Sequence, residues 1–296
     1  MLIGVPKEIK NQEYRIGLTP AGVSELVGAG HRVMIERDGG VGVGLNDADY
    51  VAAGAEIIVT AEEIFSRAEM VIKVKEPQPS ECQMLRRGQL LFTFLHLAPD
   101  PRQTELLVNS GVSAIAYETI TDDAGGLPLL APMSEVAGRL SAQQGALCLQ
   151  NSLGGSGILL GGVPGVAPAE VCILGGGVVG LNAARVALGL GADVTIVDRS
   201  LPRLRYIDEL YGDRINTLFS TTQAIREQAA RSDLIIGAIL VPGAAATKLL
   251  TRDMLKLMKP HSVVVDVAID QGGCFETSRA TTHDLSLIHI SEPTRL

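Results

Sequence analysis

The chain comprises 296 residues, 46% of them apolar and only 3% aromatic, with 33 glycines, 14 prolines, no tryptophan and a formal net charge of −8. A single core stops growing near this length, so two domains are expected, and the aliphatic composition excludes a disordered chain. The acidic balance repels polyanions, which excludes nucleic acid as a partner.

Short β-rich runs alternate with helical patterns from the first residue, the signature of βαβ units and a parallel sheet. Strands are predicted at LIGV (2–5), HRVMIE (31–36), EIIV (56–59), MVIKV (70–74), LLFTFL (90–95) and SAIAYE (113–118). Between them PAGVSELVGAG, AEEIFSRA and PRQTELLVNSG read as helices, two opening on a proline suited to the first turn and two closing toward glycine. A boundary is expected near residues 125–133, where GGLPLLAPM gathers glycine and proline, with Ser134 as the N-cap of a helix of about sixteen residues. After GGVPGVAPAE a second series begins: VCILG, VTIVD (194–198), LIIGAIL (234–240) and SVVVDVA (262–268). The expected fold is therefore α/β, two Rossmann-like doubly wound parallel-sheet domains spanning 1–128 and 129–284, with a cleft between them.

Cys82, Cys148, Cys172 and Cys274 lie far apart with no CxxC or Cys/His ligand spacing, so no metal site is expected and they read as reduced core thiols of a cytoplasmic protein. MLIGVPKEIK runs into charge too early for a signal peptide. The apolar region from Ile158 to Val197 is broken by Pro164, Pro168, Glu170, Asn182 and Arg185 before ~18 apolar residues accumulate, so buried strands and a helix are expected rather than a membrane span.

ILGGGVVGLNAARVALGLGADVTIVD carries Gly175-x-Gly177-x-x-Gly180 directly after a strand and before a helix, with Asp198 standing 23 residues beyond the first glycine. Gly175 permits a tight turn, Gly177 lets backbone approach a pyrophosphate, and Gly180 lets the helix, opening at Val178 and Val179, pack close to the strand. Asp198 would accept from ribose hydroxyls and repel a 2′-phosphate, favouring NAD over NADP, although Arg199 weakens that preference. A lone GxGxxG also occurs as a ligand-free loop; strand, helix and acid in register weigh against that reading.

Ligands of open parallel sheets sit outside the carboxyl ends of the strands. Lys75 follows MVIKV, His96 follows LLFTFL, Arg15 lies in the loop after the first strand and Asp270 follows SVVVDVA, so one cleft could collect all four. Each also has a structural reading: a solvated charge for Lys75 and Arg15, a backbone partner for His96, and a turn cap before Gly272 and Gly273 for Asp270. His31 and His261 are read as structural.

GVPKEIKNQEYRIGLTPAGV, VIKVKEP, LLFTFLHLAPDP, LLAPMSEVAGRLSAQQGA, the glycine-turn segment and VVVDVAIDQGGCFETSRATTH occur in order, and together they resemble the NAD-dependent L-alanine dehydrogenase family from Met1 to about His283. The resemblance implies reversible oxidative deamination of L-alanine to pyruvate and ammonium, with a substrate domain first and an NAD-binding domain second. It implies that Arg15 and Lys75 bind substrate, that His96 and Asp270 act as acid/base groups, and that no metal takes part. It places Ser134, Val178, Asp198, Arg203, Ser220, Ile239, Leu240, Val267, Ala268, Ile269, Asp270 and Arg279 around NAD, and it implies a homohexamer. A transhydrogenase-like subunit shares the plan, and a non-catalytic NAD-binding module is the alternative from another class; VIKVKEP and His96 favour deamination.

The family continues for roughly another ninety residues beyond TTH. Here residues 285–295, LSLIHISEPTR, read instead as the in-frame translation of a transposase-type sequencing adapter, a non-native tail spanning 285–296. Loss of the closing helices of the substrate domain is expected to weaken stability and activity.

Overall fold

Among the described residues eleven short strands pair in parallel, with helices or turns between sequential strands, as parallel neighbours require. The structure, a computed structural model, describes residues 1–98, 100–239 and 246–279. The chain divides into two units, Met1–Leu129 and Leu130–Leu296.

In the first unit, strands β1 (Leu2–Val5), β2 (Arg32–Glu36), β3 (Glu56–Ile58), β4 (Met70–Ile72), β5 (Leu90–Thr93) and β6 (Ser113–Ala116) form a sheet of order β3-β2-β1-β4-β5-β6. Helices α1 (Pro20–Gly28), α2 (Asp47–Ala52), α3 (Ala61–Arg67), α4 (Pro79–Cys82) and α5 (Pro101–Ser110) lie between them in sequence. Local chemistry sets their ends. Thr19 caps α1 ahead of Pro20, and Asp100 caps α5 ahead of Pro101, which then stops at Gly111 in the left-handed region.

The second unit opens with α6 (Ala131–Cys148), followed by β7 (Glu170–Leu174), α7 (Val178–Gly189), β8 (Asp193–Asp198), α8 (Leu201–Tyr211), β9 (Ile215–Phe219), α9 (Thr222–Arg231), β10 (Leu234–Gly237), α10 (Arg252–Leu255) and β11 (Val263–Asp266). Its sheet has the order β11-β10-β7-β8-β9. Alternate residues of one strand feed opposite faces, as the two-residue period demands. Val171 and Ile173 enter one core with Ala142, Ala183 and Ala187, whereas Cys172 and Leu174 enter the other with Ile225, Ala229 and Met254. With both faces covered, β7 and β10 are almost wholly buried runs.

Both sheets are doubly wound, in agreement with the sequence reading. Three details differ from it. Most strands are one to three residues shorter than their apolar runs, and β4 ends at Ile72, so Lys73 and Val74 lie beyond it. β9 has no counterpart among the predicted strands; at the sheet edge its INTLF needs no continuous apolar run. Ser134 is not an N-cap: α6 is 18 residues long and already begins at Ala131, with Pro132 in its first turn and Ser134 N–H donating to Leu130 C=O at 3.0 Å. The four cysteines are free and buried. Among the described residues no helix is long and apolar enough to cross a membrane.

Candidate functional site

Reversal of strand order opens a crevice at the carboxyl edge of each sheet, between β1 and β4 in the first unit and between β7 and β10 in the second. In the second unit Gly175 follows β7 with φ +106°, and a Cβ there would lie 2.7 Å from the carbonyl oxygen of Ala238, which follows β10. A Cβ on Gly180 would stand 1.8 Å from the carbonyl oxygen of Gly175, so glycine alone lets α7 approach the turn this closely. Gly177, at the N-cap of α7, is different: a Cβ would meet nothing within 4 Å, and no side chain caps the helix. Val178 and Val179 open that helix, so its first N–H groups and the positive end of its dipole face open space suited to an anion.

Asp198 ends β8 and fastens the turn. Its Oδ2 accepts from Gly176 N–H at 2.7 Å and its Oδ1 from Ser200 N–H at 2.7 Å. Each oxygen keeps a lone pair for a ribose hydroxyl. Arg203, on α8, donates through Nε to the Gly176 carbonyl, and Ser220 N–H, just past β9, donates to the Asp198 carbonyl at 3.0 Å. Ile239 follows β10, and Val267, Ala268 and Ile269 form the 3-10 turn Val267–Gln271 after β11. Thus Gly175, Asp198, Ser220, Ile239 and Val267 come from five strand ends along one edge. Ser134 lies on α6 and Arg279 is exposed. Leu240 and the tail from residue 280 lie outside the described residues, and of Asp270 only the backbone is described. Asp266, read from sequence as a strand residue, organises the last turn: its carboxylate accepts from Ala268 N–H at 3.0 Å, from Cys274 N–H at 2.8 Å and from the Ser278 hydroxyl.

At the first unit's crevice, Lys73 is fully buried between Glu8 and Glu81, with Nζ 2.8 Å from each carboxylate. Burial alone would lower the Lys73 pKa; the carboxylates of Glu81 and Glu8 outweigh it and raise it. Glu8 Oε1 also accepts from Val74 N–H at 2.6 Å and Lys75 N–H at 3.2 Å, while Thr93 Oγ1 donates to the Lys75 carbonyl at 2.8 Å. The backbone of Lys75 is therefore clamped on both sides. Its ammonium has no ion-pair partner among the described residues. Arg15 lies flat on Glu13, with Nε to Oε1 at 2.8 Å and Nη2 to Oε2 at 2.6 Å. Burial works to raise the Glu13 carboxyl pKa, but Arg15 and the nearby charge of Lys75 hold it below its ordinary value.

His96 follows β5 with φ +48°, a left-handed conformation uncommon for a residue with a side chain. Glu118, just past β6, secures it by accepting from His96 N–H at 2.7 Å and Leu95 N–H at 3.0 Å. The imidazole stacks on Phe94 at 5.8 Å, and Tyr117 meets the other ring edge-on at 5.0 Å. Arg15, Lys75 and His96 thus all follow strands of the first unit at one sheet edge. The supporting carboxylates Glu8, Glu13, Glu76, Glu81 and Glu118 were not legible in the sequence, because a strand-end acid resembles any solvated acid until its neighbours are known.

The N-terminal part of the chain, residues 4–137, matches the family profile described as alanine dehydrogenase/PNT, N-terminal domain, and residues 141–292 match the corresponding C-terminal domain. The chain belongs to the alanine dehydrogenase/PNT family. Alanine dehydrogenase of Halomonas elongata is 60% identical over 96% of this chain and 76% of that protein. The Bacillus subtilis alanine dehydrogenase is 55% identical over 96% of this chain and 75% of its own length. A solved L-alanine dehydrogenase superposes with a TM-score of 0.88 at 53% identity, covering 96% of this chain and 78% of that one. A transhydrogenase from Sinorhizobium meliloti follows at TM-score 0.80 and 27% identity, over 95% of this chain and 82% of that one. Within the family, this degree of likeness to alanine dehydrogenases marks the chain as an NAD-dependent amino-acid dehydrogenase.

Proposed function

We propose that this chain converts L-alanine, NAD and water reversibly into pyruvate, ammonium, NADH and a proton through Arg15, Lys75, His96 and Asp270. The observation that carries this reading is the joint placement of Arg15, Lys75 and His96 along the carboxyl edge of one sheet, in a chain 51–60% identical to alanine dehydrogenases.

Gly175, Gly177, Val178, Val179, Gly180, Asp198, Arg203, Ser220, Ile239, Leu240, Val267, Ala268, Ile269, Asp270, Arg279 and Ser134 hold NAD, a fit supported by the open cradle at Gly177 and the two lone pairs left on Asp198. Bound NAD supplies the two-electron oxidant. The planar guanidinium of Arg15 binds the alanine carboxylate, and the Lys75 ammonium binds the carboxylate or the carbonyl oxygen of pyruvate. His96 accepts a proton in deamination and returns it in the reverse direction, and Asp270 serves the attacking water or the carbinolamine.

A homo-oligomer, a hexamer by likeness to the family, is supported by the exposed row Val136, Leu140 and Leu147 on α6. The four buried free thiols support a cytoplasmic protein. The test is alanine-dependent NADH formation by the 296-residue chain and by its His96→Ala variant. The variant should retain NADH binding and lose about 10²-fold or more in turnover. Exchange between nicotinamide cofactors without alanine would favour a transhydrogenase-like role, and NADH binding with no turnover of either kind would leave a binding module.

A further inference from the structure

The β4–β5 register pairs Met70 with Leu90 and Ile72 with Phe92, an offset of twenty residues. It continues past the strands, where Phe94 N–H donates to the Val74 carbonyl at 3.3 Å, and so brings Glu76 beside His96. His96 Nδ1 lies 3.6 Å from Glu76 Oε2, with side-chain exposures of 25% and 14%. Glu76 Oε1 is taken by Lys10, whereas Oε2 is buried without a hydrogen-bond partner. A buried carboxylate oxygen in that state calls for a donor, and the nearby imidazole N–H answers it after a shift of a few tenths of an ångström. Such bonds are commonly long before substrate binds.

We propose that Glu76 is the positioning residue of His96, accepting its Nδ1–H so that Nε2 is left bare to exchange protons with the substrate. This rests on the acid/base role given to His96 above. Phe94 fixes the plane of the ring and Glu118 its backbone, leaving ring rotation and the choice of tautomer for Glu76 to settle. The carboxylate also steadies the imidazolium formed during turnover, as an orienting acid does for a histidine base. Burial works against its charge, but His96 and Lys10 hold the Glu76 carboxyl down to about 2, so it is ionised throughout the working range. Two further charged groups touch the pair: Lys10, on the other oxygen of Glu76, and Glu118, on the backbone N–H of His96.

The test is a double-mutant cycle on the full chain with Glu76→Gln and His96→Ala, read as kcat and KM for L-alanine, with long-range 15N NMR of the His96 ring in parallel. Glu76→Gln should lower kcat about 10-fold or more, leave KM for alanine within about 3-fold, and cost nothing further in the His96→Ala background. In the neutral ring, Nδ1 should carry the proton in the parent and Nε2 in Glu76→Ala. The ring measurement needs no turnover, so it decides the proposal even in an inactive chain. Additive losses, or the same tautomer in both proteins, would overturn it. If His96→Ala itself keeps full kcat, the acid/base reading fails instead. Should Glu76→Ala not fold, Glu76→Asp, which keeps the charge and withdraws it by one methylene, should give an intermediate kcat; an unchanged kcat would overturn the proposal.

Discussion

Gly177 and Gly180 belong to one motif, yet the geometry separates them into two kinds of constraint. An added Cβ at Gly180 would sit 1.8 Å from the backbone oxygen of Gly175, and under 3.0 Å something must shift. The neighbour is main chain, so α7 must move by more than about 1 Å against β7, at a cost of about 1–3 kcal/mol for overpacking. At Gly177 the added Cβ meets nothing within 4 Å, so Gly177→Ala carries no steric penalty and should cost only about 0.5–1 kcal/mol, the difference between glycine and alanine as helix N-caps. That open space is where a pyrophosphate would press against backbone, so NADH affinity should fall about 10-fold or more. Guanidinium unfolding monitored by far-UV dichroism measures the first effect, and NADH fluorescence titration the second. Gly180→Ala should lose both stability and affinity, and Gly177→Ala chiefly affinity, with at most about 1 kcal/mol of stability. A Gly177→Ala variant that binds NADH as well as the parent would refute the assignment of that space to the cofactor.

Removing the carboxylate with Asp198→Ala should raise KM for NAD about 10-fold or more and narrow the preference for NAD over NADP, measured as the ratio of kcat/KM values; an unchanged ratio would remove Asp198 as the ribose ligand. Lys73→Met strands two buried carboxylates and should cost about 3–5 kcal/mol in urea unfolding, whereas a loss under about 1 kcal/mol would mean the triad contributes little. Glu76 contributes stability of the opposite pH sense to a raised base. Its folded carboxyl is held at about 2 against an ordinary 4.5, so its contribution is present above pH 4.5 and is lost as pH falls toward 2. Acid unfolding of Glu76→Gln should be flatter across that window than for the parent.

The strand–turn–helix–acid unit from β7 to Asp198 was legible because all its requirements are local: a tight turn, close approach, a helix N-terminus and an acid at the next strand end. The doubly wound class was legible for a similar reason, since alternating apolar runs and helical patterns admit few architectures. Ser134 failed as a cap because Pro132, which suits a first helical turn, lies two residues before it and the helix begins at Ala131. β9 escaped because an edge strand buries little: of INTLF only Ile215 is fully buried. Lys73 was hidden inside the run MVIKV, where a two-residue alternation conceals a charge that in fact lies past the strand end, between two acids.

The sequence by itself thus determined the cofactor turn, the parallel α/β class and the identity of Arg15, Lys75 and His96 as strand-end polar groups, because each depends on residues within one element and its flanks. Only the tertiary structure decided which groups meet. Glu76 finds His96, Glu118 finds the His96 backbone and Glu8 finds Lys75 because strand order and register set those pairings across separations of 20 to 67 residues. A strand's own pattern constrains register only in part: a one-residue slip turns its apolar set to the other face, but a two-residue slide keeps the faces and replaces every neighbour.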